Sequence, residues 1–163
     1  MLTNYTTYND IRSILGVSDQ ELSDATLGLE VYKSYLDSEL DEVDSTLITE
    51  YAAVVAVLEA SRTAAQKRFY RTTRLFAVYA VARQLTTALP LFSPKDISDG
   101  KASLARFSDS PYREVTKKVT SEYDRLKTAL LDAFYGLTSS TATSTARVYF
   151  SSAILVPDPV TGE

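Results

Sequence analysis

The chain has 163 residues, 45% hydrophobic and 23% charged, with a net charge of −4 and neither cysteine nor histidine. That balance describes one globular domain with a real core. The missing cysteines exclude a disulfide framework and a thiol nucleophile, and the missing histidines remove the commonest general base and transition-metal ligand. These absences weigh against an enzyme, and no cofactor is expected. The N-terminus has no basic region followed by an apolar run, so a chain made and used without export is expected. Charge is uneven: residues 1–60 hold twelve acids against two bases, and residues 61–163 nine acids against fifteen bases. Such asymmetry suits pairing of unlike surfaces, within one chain or between copies.

In chain order, Thr7 and Asp10 cap a short helix through Ile11, Ile14 and Leu15, which Gly16 ends in the left-handed conformation. Ser18 and Glu21 have capping-box spacing and predict a second helix carrying Leu22, Ala25, Leu29, Tyr32, Leu36, Leu40 and Val43. Its end is crowded by Asp37, Glu39, Asp41, Glu42 and Asp44, where acids oppose the helix dipole. These residues read as an acidic interaction face. A Ca²⁺ loop is the alternative, although the run lacks the glycine and alternation of an EF-hand.

From Thr46 to Leu89 there is no Gly or Pro, which predicts one long helix stopped by Pro90. At 1.5 Å per residue it would extend roughly 65 Å, so it either bends or projects. Its middle carries Arg62, Lys67, Arg68, Arg71 and Arg74 with no intervening acid, either a solvated basic face or a partner surface. The next stretch, Leu75 to Ala82, is apolar all round and reads as the deepest core, or as a core completed by another subunit.

Pro90 to Pro94 forces a loop, and Asp99-Gly100 predicts a small hairpin or tight turn with Ile97 and Leu104 or Phe107 inward. One glycine there is far from a phosphate-loop pattern. Ser110-Pro111 starts a further helix with an apolar stripe through Tyr112, Val115, Val119, Tyr123, Leu126, Leu130, Phe134 and Leu137. Lys117, Lys118, Arg125 and Lys127 take much of its other face, and Gly136 is expected to stop it. Residues 138–145 form a Ser/Thr tract that builds no core, followed by a β-prone segment, Arg147 to Val156, ended by Pro157 and Pro159. That strand pairs either with the hairpin or with a neighbouring subunit. The expected architecture is mainly α: a small helical bundle over 1–137, built on one long helix with a short hairpin or loop, and an extended C-terminal arm over 138–163.

This order of parts, with the Ile97-Ser-Asp-Gly-Lys-Ala-Ser103 turn between long helix and Ser-Pro-started helix, resembles the head-to-tail adaptor (connector, head-completion) proteins of tailed bacteriophages. The resemblance implies a structural virion protein at the neck, a homo-oligomeric ring of about twelve subunits beneath the portal protein. Such a ring extends the DNA channel and offers a platform to a tail, tail-terminator or nozzle protein. DNA passes through without sequence-specific binding, and no membrane is involved. Portal contact then falls to the arm at Val148, Tyr149, Phe150, Ile154, Leu155 and Val156. Subunit contact falls to Asp37, Glu39, Asp41, Glu42 and Asp44 against Arg62, Lys67, Arg68, Arg71 and Arg74. A different class of function from the same residues is a helical nucleic-acid-associated regulator that sets the five cations against phosphates. A carboxylate hydrolase would need two acids converging in a cleft, and no spacing demands that.

Overall fold

The computed structural model describes residues 2–86, 96–98, 103–105 and 111–139. It is mainly helical, a small bundle of α1 (Tyr8–Leu15), α2 (Asp24–Leu27), α3 (Glu30–Val43), α4 (Leu47–Ala56), α5 (Ala64–Thr86) and α6 (Pro111–Ser139). Strands β1 (Asp96–Ser98) and β2 (Ser103–Ala105) pair antiparallel with Ile97 opposite Leu104, the strand pairing the expected hairpin requires, while the Asp99-Gly100 turn and Phe107 lie outside the described residues. The C-terminal segment and the stop at Pro90 lie outside the described residues.

The expected caps at the N-terminal end are in place. Thr7 and Asp10 form a reciprocal capping box on α1, and Gly16 closes it at φ 68°, a conformation costly for a side chain with a Cβ. Ser18 and Glu21 also bond reciprocally, yet they close a turn instead of starting the long acidic helix. Helix α2 spans one turn, capped by Ser23 on the Thr26 amide. Gly28 then separates it from α3. A Cβ on Gly28 would lie 3.1 Å from the Asp24 carbonyl and 3.3 Å from the Tyr8 hydroxyl, so the close approach there suits glycine. Arg12 secures this corner from a buried position, donating to the Leu22 carbonyl at 2.7 Å and to Asn9 at 3.0 Å and pairing with Asp24.

The long helix is corrected by the structure. It breaks after Ala56, passes through a 3₁₀ turn at Glu59–Ser61 and restarts at Ala64. Thr63 and Gln66 cap the restart reciprocally, amide to side chain in both directions, which satisfies two free donors at the new N-terminus. At the front of α4, Thr46 makes no side-chain cap; Asp44 instead accepts from the Thr46 amide and hydroxyl. Gly136 does not stop α6, which runs on to Ser139. One glycine costs a helix about 1 kcal/mol relative to alanine, too little to end a helix anchored by packing.

Helices α5 and α6 form the central pair, with α1, α3 and α4 also packing on α5. Phe69 meets Phe134 and Phe76 meets Tyr123. The partner numbers fall as the α5 numbers rise, so the two helices run antiparallel. The all-apolar stretch is the deepest layer, as expected: Phe76, Ala77, Val78, Ala80, Val81 and Ala82 are buried within this one chain. Burying each large side chain contributes about 1.5–3 kcal/mol. Leu75 departs from that layer and is 52% exposed.

Candidate assembly surfaces

The acidic run at the end of α3 is largely engaged inside the chain. Asp37 pairs with Lys33 at 3.1 Å, one turn back on the same helix. Glu39 accepts from the Tyr123 hydroxyl, and Glu42 pairs with Lys127 at 2.8 Å. Asp44 is spent on Thr46. Asp41 stays exposed. Two of the acids at the wrong end of the α3 dipole, Glu39 and Glu42, are thus met by α6 and two, Asp37 and Asp44, by near neighbours, none of them by the basic run of α5 that charge alone suggested. Because the carboxylates turn to separate partners they do not converge, and among the described residues no group of three or more is placed to hold a metal ion.

Glu39 sits in a polar seam between α3 and α6. The Arg83 guanidinium covers the Tyr123 ring at 4.3 Å, a cation–π contact that brings positive charge from α5. Burial first, then the hydrogen bond to Glu39, pushes the Tyr123 phenol up, and the same causes push Tyr35 up to about 12. The Lys127 partner holds the Glu42 carboxyl below its ordinary value.

The basic run divides in two. Arg62 folds back on the end of α4 and donates to the carbonyls of Val54, Val57 and Val55 at 3.1, 3.0 and 3.2 Å. Carbonyls at a helix end lack intrahelical donors, and this guanidinium supplies them. Its other face lies 4.4 Å over the Tyr70 ring. Tyr70 stacks on Tyr51 at 5.7 Å, and Tyr51 stacks on Tyr5 at 5.0 Å. Arg74 closes the assembly, donating to the Tyr5 carbonyl at 3.0 Å and the Tyr70 hydroxyl at 3.3 Å. Three tyrosines and two arginines therefore clasp the break between α4 and α5 to the N-terminal turn. Arg62 and Arg74 are structural here, which corrects their reading as one continuous surface with the other three. Lys67, Arg68 and Arg71 make no ion pair or side-chain hydrogen bond with the described residues, and Arg68 and Arg71 are exposed.

Two surface features have no counterpart in the sequence reading. The first is the turn that Arg62 locks: it holds Leu58 79% exposed, with Val55 44% exposed one turn earlier and Glu59 beside it. The second is a groove of about 570 Å³ between α1 and α5, walled by Ile14, Tyr70, Leu75 and Val78, with Arg71 and Arg74 among its lining. Its signal was present in the sequence as Leu75, one residue out of phase with the buried stripe. The exposed tip had no signal, because Leu58 fits the apolar spacing of an unbroken helix. The arm residues Val148, Tyr149, Phe150, Ile154, Leu155 and Val156 lie outside the described residues.

No helix among the described residues is long and apolar enough to cross a membrane. No protein-family model, curated protein or solved structure matches the chain.

Proposed function

We propose that the chain is a structural assembly subunit of the head-to-tail adaptor kind rather than an enzyme. In this reading about twelve copies close into a ring beneath a portal, extend the channel through which DNA passes and present a platform to a tail protein in the virion neck. The arm, through Val148 to Phe150 and Ile154 to Val156, makes the portal contact. The observation that carries the reading is a core closed within one chain whose surface still keeps two unlike features, an exposed apolar tip and an apolar groove with cations. A ring needs two different faces per subunit, and these features supply a pair. The order of parts along the chain supports the adaptor assignment within that class. The regulator reading loses ground because Arg62 and Arg74 are committed to backbone carbonyls.

Reversing two exposed cations in the double variant Arg68→Glu, Arg71→Glu tests the reading. Assembly is expected to be lost while helix content by circular dichroism stays at the wild-type value, since neither side chain makes an ion pair or hydrogen bond with the described residues. Unchanged assembly would move the subunit contact away from this face. DNA affinity that falls steeply with salt, and disappears in the same variant, would favour the regulator.

A further inference from the structure

We infer that the subunit contact is knob-into-groove: the Leu58 tip of one copy enters the α1–α5 groove of the next, with Glu59 set against Arg71. The inference deepens the ring reading and rests on it.

Leu58 is a large apolar side chain held 79% exposed on a turn that does not move freely. Arg62 ties that turn by three hydrogen bonds to Val54, Val55 and Val57 and by its stack on Tyr70. Exposing an apolar side chain on a preformed turn lowers the ordering cost of docking. The groove offers what such a tip needs, apolar walls from Ile14, Leu75 and Val78 in a volume of about 570 Å³.

Charge selects the pairing. Glu59 adjoins the tip and is exposed, while Arg71 lines the groove and Arg68 is exposed one turn away on α5; these three make no ion pair with the described residues. The acid that also lines the groove, Asp10, has its carboxylate turned to the Thr7 amide as part of the α1 cap. An acidic-apolar tip and a basic-apolar groove are complementary in both respects. The exposure of Leu58 shows that a chain does not fill its own groove with its own tip. It is the complementary charge that makes the tip of a second copy the occupant, and since tip and groove are different surfaces the contact is heterologous and propagates.

The absence of cysteine from the whole chain makes the test clean. Leu58→Cys and Leu75→Cys chains, both exposed positions, are prepared separately and checked for wild-type helix content. They are then mixed and treated with a short bis-maleimide linker, and the native mass of the wild type is measured alongside. A covalent dimer that requires the mixture, and is lost when the Leu58→Cys chain also carries Glu59→Arg, is the expected result. Recovery of that dimer when the Leu75→Cys chain carries Arg71→Glu would confirm the charge pairing. Efficient cross-linking of Leu58→Cys alone would make the contact isologous and overturn the inference. Cross-linking of Leu75→Cys to Ile154→Cys without any to Leu58→Cys would assign the groove to the C-terminal arm and also overturn it. A wild-type ring with no Leu58 to Leu75 product refutes this contact and leaves the ring reading intact. The expected dimer with open chains in place of a ring supports the contact and counts against the ring.

Discussion

Two polar assemblies brace α5, and they are built on opposite principles. The clasp near its start sets arginine against carbonyls and tyrosine rings, with Arg62 and Arg74 bonded to Val54, Val55, Val57 and Tyr5. The seam toward its end sets carboxylates against tyrosine and lysine, with Glu39 on Tyr123 and Glu42 on Lys127. Both join segments distant in sequence. The clasp contains no carboxylate, whereas the seam depends on two. The difference teaches where charge is spent: the basic run splits between holding a break and facing outward, while the acidic run mostly goes into internal joints.

The comparison is broken most strongly by removing Arg62. Arg62→Ala leaves the last α4 carbonyls without their charged donor, and hydrogen bonds to charged groups contribute about 1.5–3 kcal/mol. A loss of about 2 kcal/mol is expected in denaturant unfolding, with faster amide exchange confined to residues 57–63. Uniform exchange throughout the chain would mean that the turn is not a separately clasped unit.

Glu39→Gln should have a smaller effect, about 1 kcal/mol, because the amide oxygen still accepts from Tyr123 without the charge. Ultraviolet titration offers a sharper readout. The Tyr123 phenol should ionise at lower pH in the variant, since part of its upward shift comes from Glu39. An unmoved titration would place Glu39 outside the seam.

The smallest expected effect separates the two regions by pH. The Glu42 carboxyl is held low by Lys127, so its contribution is complete above its ordinary value of 4.5 and is lost as pH falls through the lower folded value. Tyr35 in the seam and Tyr51 in the clasp are both raised to about 12. Their contributions are therefore complete below the ordinary 10 and lost as pH rises through 12. Acid should loosen the seam first and alkali should loosen both. Thermal midpoints of wild type and Glu42→Gln should thus converge only at the acid end, and a constant gap would contradict the Lys127 pairing.

Much of the fold was readable where the signal is local. The Thr7–Asp10 cap, the Gly16 stop, the antiparallel pairing of Asp96–Ser98 with Ser103–Ala105, the Pro111 start and the buried stripe of α6 depend on residues within a few positions of one another. The break after Ala56 was half legible: Thr63 and Gln66 carry a capping-box spacing inside the supposed continuous helix, but the side chain that stabilises the turn, Arg62, reads as surface charge. Gly28 was likewise available as a breaker and was outweighed by the apolar periodicity across it. Gly136 misled in the other direction, because packing at Phe134 and Leu137 carries α6 past it. The candidate surfaces were least legible. Whether a cation is free or clasped depends on partners tens of residues away, as Arg74 on Tyr5 shows.

The native mass of the full chain across a wide concentration range tests the central claim most directly. A closed oligomer of about twelve chains, stable to dilution and lost in Arg68→Glu, Arg71→Glu, is the predicted result. A monomer at every concentration would contradict a chain built with two complementary faces for its own copies.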